Sequence, residues 1–245
     1  MSPPLGDGRT TEQIDMRIGG LQKFSLLDFP EKIAAVVFTN GCNFRCPFCH
    51  NPTLVAETAL TPHVPEEEFF TFLAQRIDRL DGVCVTGGEP LLQSDCADFL
   101  RRIKRLGFLV KLDTNGSFPE KLKAILAEHL VDYVAMDIKN VSEKYTATAG
   151  ISESFIDNIH KSANLLLNGD IPYEFRTTVV REFHTIDDIG QIGRRLRGGR
   201  KYCLQNYRES GHLAADLPLH SFTEDEIMEM SRKAEEFFQV VEVRI

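Results

Sequence analysis

The sequence predicts an α/β chain folded as a partial, TIM-like (β/α)6 barrel, and three observations carry that expectation. From residue 32 onward, short runs rich in Val, Ile and Phe alternate with amphipathic helical patterns, as parallel βαβ units require. Each run is followed, at its C-terminal end, by a chemically unusual segment. In parallel barrels the loops at that one face build the active site. Finally, 245 residues with 42% apolar content suffice for a single core of barrel size.

In chain order, residues 1–17 carry Pro, Gly and charge without periodicity and read as a flexible N-terminal extension. No Gly- or Ser-rich linker and no fixed-period repeat follows, so 18–245 reads as one domain. Strands are expected at Lys32–Thr39, Gly82–Thr86, Phe108–Asp113, Tyr133–Lys139, Tyr173–Val180 and Lys201–Asn206, each bounded by turn residues. A helix over Pro65–Leu80 opens on Pro and three glutamates, which suit a first turn and the helix dipole. Ser94–Leu106 has Ser94 as an N-cap and Gly107 as a C-cap candidate. Pro119–Leu130, Glu153–Leu167 and Ile186–Leu196 follow the same logic. Thr223 and Glu226 form a capping box that opens a last helix to about Phe238, before a final strand over Val240–Ile245.

Composition narrows the function classes. Net charge is −8 and no basic run exceeds the pair Arg194-Arg195, which argues against a nucleic-acid surface. No apolar stretch has membrane-spanning length and no signal-peptide core is present, so a cytoplasmic location is expected, where thiols stay reduced. Cys84, Cys96 and Cys203 are then free, with Cys84 and Cys203 in apolar runs as small core residues. His63, His184, His212 and His220 read as surface or loop histidines.

The segment after the first expected strand is Asn40-Gly41-Cys42-Asn43-Phe44-Arg45-Cys46-Pro47-Phe48-Cys49-His50-Asn51. Three thiolates spaced C-x3-C-x2-C on one loop can hold a metal centre, and iron–sulfur clusters favour clustered Cys. With three ligands, a [4Fe–4S] cluster keeps one iron open. The alternative is a zinc-stabilised binding module, with His50 or another Cys as fourth ligand. The other strand ends carry Thr86-Gly87-Gly88-Glu89-Pro90, Asp113-Thr114-Asn115-Gly116, Asp137-Ile138-Lys139-Asn140, Arg176-Thr177-Thr178 and Gln205-Asn206-Tyr207-Arg208. A structural zinc loop needs no such partners; an enzyme does. Arg176 on an otherwise apolar strand must meet an anion, from a ligand, a partner or a neighbouring strand.

Cys42, Cys46 and Cys49, with Phe48 before the third, resemble the signature of the radical S-adenosylmethionine (SAM) enzymes. Ile18 to Ser25, Asp28-Phe29-Pro30 and Cys49-His50-Asn51-Pro52 resemble the activating proteins of anaerobic ribonucleoside-triphosphate reductase, relatives of the pyruvate formate-lyase activases. The match is dense over 18–55, recurs at strand ends to about 208 and is absent before 17. The resemblance implies the partial barrel of the radical SAM type, a [4Fe–4S] cluster on the three cysteines, and SAM on the open iron. It implies that Gly87, Gly88 and Glu89 contact the SAM amino group and that Phe48 stacks on adenine. Asp113, Thr114 and Asp137 would line a monovalent-cation site beside the SAM carboxylate, unless 113–116 is simply a turn. Lys139 would pair with Asp137 or a carboxylate of the substrate, and Arg176 with the SAM carboxylate or an acidic group of a partner. His50 reads as a residue behind the ligands. The implied partner is a glycyl-radical enzyme, anaerobic ribonucleoside-triphosphate reductase, with reduced flavodoxin or ferredoxin as electron donor. A small-molecule radical SAM enzyme resembling the 7-carboxy-7-deazaguanine synthases is the alternative among enzymes.

Overall fold

In strands of period two, one face can be apolar while the other is charged, and this sheet uses both. The computed structural model describes residues 15–55, 63–208 and 217–245. Its strands are β1 (Ile18–Ser25), β2 (Ala34–Thr39), β3 (Gly82–Gly87), β4 (Leu109–Thr114), β5 (Tyr133–Asp137), β6 (Tyr173–Val179), β7 (Lys201–Asn206) and β8 (Val240–Arg244). Helices are α1 (Pro52–Val55), α2 (Glu66–Ala74), α3 (Cys96–Arg105), α4 (Pro119–Ala127), α5 (Ser142–Ala149), α6 (Ile156–Leu167), α7 (Ile186–Arg195) and α8 (Glu224–Ala234). Val83 and Val85, Val110 and Leu112, and Val134 and Met136 join one apolar cluster with Phe99, Leu122, Ile159 and Ile189 of the helices. The alternate positions Cys84, Lys111, Asp113, Asp137, Glu174 and Arg176 therefore face the other side, into the curve of the sheet.

The strands lie in chain order β1 to β8, and β2 to β8 pair in parallel. Six β/α units followed by β8 make the expected partial barrel, left open between β1 and β8. Each expected strand is present. β1, which pairs antiparallel with β2, was not expected, because Gly19, Gly20 and an exposed outer half give it no alternation. Gly19 is required there: a Cβ would lie 2.1 Å from Asn40 Oδ1. Also unexpected is α5, whose first turn follows directly on the polar segment after β5.

Helix ends differ in detail. Thr223–Glu226 forms the expected capping box and Thr185–Asp188 a second one. Ser94 does not cap α3; Asp95 takes that position, without a side-chain bond. α2 stops at Ala74, well before Leu80, and Asp78 beyond it has a left-handed φ of 65°. Of the expected N-terminal extension, residues 1–14 lie outside the described residues. Met16, by contrast, is docked: it is fully buried and donates its N–H to Glu66 Oε2 at 2.7 Å. Among the described residues no helix is long and apolar enough to cross a membrane.

The helical layer is anchored by aromatic packing. Phe99 of α3 stacks on Phe69 of α2 with centroids 5.2 Å apart, and Phe70 meets it edge-on at 5.4 Å. Phe99→Ala is expected to lower stability by about 3–5 kcal/mol, measured by urea unfolding.

Candidate active site

The cysteine loop leaves β2 and is pinned at several points by backbone bonds. Asn40 N–H donates to Arg17 O at 2.8 Å, Gly41 N–H to Leu54 O at 2.7 Å and Arg45 N–H to Ala149 O at 2.8 Å. Within the loop, Cys49 N–H donates to Cys46 O at 3.1 Å, and Phe44 N–H points at Cys42 Sγ at 3.4 Å. The three cysteines line one cavity of about 380 Å³ at the C-terminal ends of the strands. As free thiols, Cys42 is pushed up to about 12 and Cys46 to about 11, both chiefly by burial. Such thiols carry protons at neutral pH, and binding a metal would require that they give them up. Among the described residues, no three His, Cys, Asp or Glu side chains converge on one point as a single ion requires.

The Gly87-Gly88-Glu89 segment crosses directly over this loop. Gly88 N–H donates to Thr39 O at 2.9 Å and Glu89 N–H to Gly41 O at 2.8 Å. A Cβ on Gly88 would stand 2.0 Å from Gly41 O, and Gly87 has a φ of +114°; only glycine permits that approach. Both glycines line the cavity, but Glu89 and Thr114 do not. The Glu89 carboxylate, expected to meet the SAM ammonium, is instead buried in hydrogen bonds to the chain. It accepts from Leu91 N–H (3.0 Å), Thr114 Oγ1–H (2.9 Å) and Asn115 N–H (2.7 Å). Asn115 in turn donates to Asn43 Oδ1 at 2.9 Å, and Asn43 to Ser117 Oγ at 2.9 Å. Glu89 thus ties the end of β4 to the Gly-Gly turn, and the asparagines tie it on to the cysteine loop.

The remaining expected site residues, Asp113, Asp137, Lys139 and Arg176, share the cavity wall. Arg176 finds its anions inside the protein: Nε donates to Asp137 Oδ1 at 2.8 Å and Nη1 to Asp113 Oδ2 at 2.9 Å. Lys139 Nζ donates to Asp137 Oδ2 at 2.8 Å. Lys111, absent from the sequence expectations, pairs with Asp113 Oδ1. Burial alone would raise both carboxyls; Arg176, with Lys111 on one side and Lys139 on the other, holds them below the usual range. A signal for Lys111 existed, since it stands two residues before Asp113 and so on the same strand face.

Phe48 is buried at the cavity edge, 5.8 Å from the Phe183 ring and 6.4 Å from that of His184. His184 is not a surface residue; only 2% of it is exposed. Its Nδ1 accepts from Val180 N–H at 3.1 Å and its Nε2–H donates to Lys139 O at 2.7 Å, while burial lowers its pKa from the usual histidine value. Tyr145 Oη accepts from Lys139 N–H at 3.0 Å, so both peptide groups of Lys139 are held. His50 lines the cavity with its ring 6.2 Å from Tyr207. His63 and His220 are exposed, the latter beside Glu182; His212 lies outside the described residues. Cys84, Cys96 and Cys203 are buried and unbridged, but Cys84 faces the charged interior, with Sγ 3.6 Å from Lys111 Nζ.

Burial pushes the Glu89 carboxyl up to about 7, from 4.5. Between those values the folded chain holds a proton that the unfolded chain has lost, so this group's contribution to stability falls as pH rises through that window. Glu89→Gln sets an amide donor against a backbone N–H and is expected to destabilise by about 1–3 kcal/mol. The stability gap between wild type and variant should narrow from about pH 5 to about pH 8, read by thermal melts across pH.

Comparison with known proteins agrees with this geometry. The family model described as "Radical SAM superfamily" matches residues 36–196. A Methanocaldococcus jannaschii protein named "Putative glycyl-radical enzyme activating enzyme" is 32% identical over 236 residues, covering 93% of this chain and 95% of its own length. The pyruvate formate-lyase-activating enzyme of Clostridium pasteurianum is 28% identical over 201 residues, covering 80% of this chain and 83% of its own. In fold, the chain resembles Streptococcus suis SuiB bound to precursor peptide SuiA, with a TM-score of 0.65 at 13% identity over 84% of this chain and 48% of that one. The family uses a [4Fe–4S] cluster and SAM, which sets aside the zinc-module reading. The chain belongs to the radical SAM superfamily, in its glycyl-radical enzyme activating branch.

Proposed function

We propose that this chain is an activase that removes a hydrogen atom from a backbone glycine of a partner enzyme, and that the partner is an anaerobic ribonucleoside-triphosphate reductase. The observation that carries the reading is one cavity that gathers the three thiols, the Gly-Gly turn and the charged ends of β4, β5 and β6. A bound [4Fe–4S] cluster, reduced by an external donor, would supply the electron for reductive cleavage of SAM and so the hydrogen-abstracting power. Cys42, Cys46 and Cys49 would hold the [4Fe–4S] cluster at the mouth of the cavity. Gly87 and Gly88 present peptide groups at close range. Lys139 and Arg176 turn positive charge toward the cavity, where a carboxylate is favoured, and Phe48 gives an aromatic wall for adenine.

The open side of the sheet supports a polypeptide substrate. β1 and β8 do not pair, which leaves that side of the sheet open to an entering peptide loop. A reduced flavodoxin or ferredoxin serves as electron donor in a cytoplasmic setting; neither nucleic acid nor membrane is a partner in this reading.

Cys46→Ala should abolish the visible absorbance of the cluster and SAM cleavage together. With the reductase present, the reduced holoenzyme should produce a doublet-like glycyl radical signal by electron paramagnetic resonance. Deuterium on the partner's glycine α-carbon should appear in 5′-deoxyadenosine. Label that stays in the partner, while a free purine-like substrate delivers its own hydrogen, would replace this reading with the small-molecule one.

A further inference from the structure

We propose that the carboxylates of Asp113 and Asp137 are neutralised by cations of the chain itself, with Lys111 as a built-in substitute for the monovalent metal ion expected between them. All four carboxylate oxygens are taken. Lys111 Nζ and Arg176 Nη1 occupy Asp113; Arg176 Nε and Lys139 Nζ occupy Asp137. Thr114, the third expected oxygen ligand, donates to Glu89 at 2.9 Å and accepts from Gly116 N–H at 3.1 Å. The donor set that a free cation needs is therefore already spent inside the protein.

Charge points the same way. Three fixed cations face two carboxylates, so the group carries a surplus of one positive charge. A further metal ion would raise that surplus where solvent screening is weak, whereas an anion would cancel it. The site suits the carboxylate of the family's cosubstrate and disfavours Na+ or K+.

Lys111 makes the difference. It is 2% exposed and lies off the cavity wall. Its Cα is paired in register with that of Cys84, and among the described residues its ammonium pairs with the carboxylate of Asp113 alone. Unlike a bound ion, this charge cannot exchange with solvent. Lys139 and Arg176 border the cavity, whereas Lys111 lies beneath it and compensates Asp113 from there.

The inference rests on SAM binding by the family and not on the identity of the activated partner, so its test omits any partner. Cluster-reconstituted protein is titrated calorimetrically with SAM in NaCl, KCl and choline chloride at equal ionic strength. The expected dissociation constants agree within about twofold. A loss of about tenfold or more in choline overturns the proposal. Lys111→Ala should convert the protein to cation dependence: its melting temperature and SAM affinity should fall in choline and recover saturably with KCl or NH4Cl. Lys111→Arg should remain indifferent. A folded Lys111→Ala protein that binds SAM equally well in all three salts also overturns it. If that variant does not fold, the wild-type series alone decides.

Discussion

A single guanidinium bridging two buried carboxylates sets the terms for the interior of this barrel. Arg176 reaches Asp113 across β5 and Asp137 on the adjacent strand. Buried ions are tolerated when paired, and removing one partner from such a set costs about 3–5 kcal/mol because a bare charge remains. The network therefore constrains the register of β4, β5 and β6 as firmly as the ladder bonds do, with Asp137 and Arg176 as Cα partners. Lys111 and Lys139 complete it from below and above. A second charged cluster lies lower in the sheet, where Glu174 meets Lys201 at 3.2 Å and Arg244 at 3.4 Å. From β4 to β8 the inner face thus carries most of the charges, and the main apolar cluster lies on the outer face, between sheet and helices.

On that charged floor the cysteine loop is held by backbone and amide contacts and by Phe44 and Phe48, which are buried in the apolar cluster. The Gly-Gly turn, Glu89, Asn115 and Asn43 form one continuous chain of hydrogen bonds from β3 and β4 to the loop. Its effect is pre-organisation: thiols, peptide groups and charges already face one cavity before any ligand arrives, which limits what must be ordered during the reaction. Glu89 is central to that framework, though it does not touch the cavity. His184 and Tyr145 do the same for Lys139 by holding its carbonyl and its N–H.

Much of the architecture was legible in the sequence. Six apolar runs became β2 to β7, the Thr223–Glu226 capping box formed as written, and the polar strand ends share one face. β1 escaped notice because an edge strand with two glycines has no pattern of its own; its pairing with β2 makes it a strand. His184 does lie in a loop, between β6 and α7, but its burial there could not be read from a lone histidine, because it depends on how the fold closes over that loop.

By itself the sequence determined the α/β class, the order of the units, and which loops carry thiols, glycines and carboxylates. Those are local properties, written in residue type and spacing. Only the tertiary structure decided whom the buried charges meet, since Arg176 and Asp113 stand 63 residues apart, and Asn115 and Asn43 stand 72 apart. Spacing placed Glu89 at a strand end, but strand register turned its carboxylate inward to the chain's own donors. Compensation of a buried charge depends on every strand that packs against it, and no single stretch of sequence contains that information.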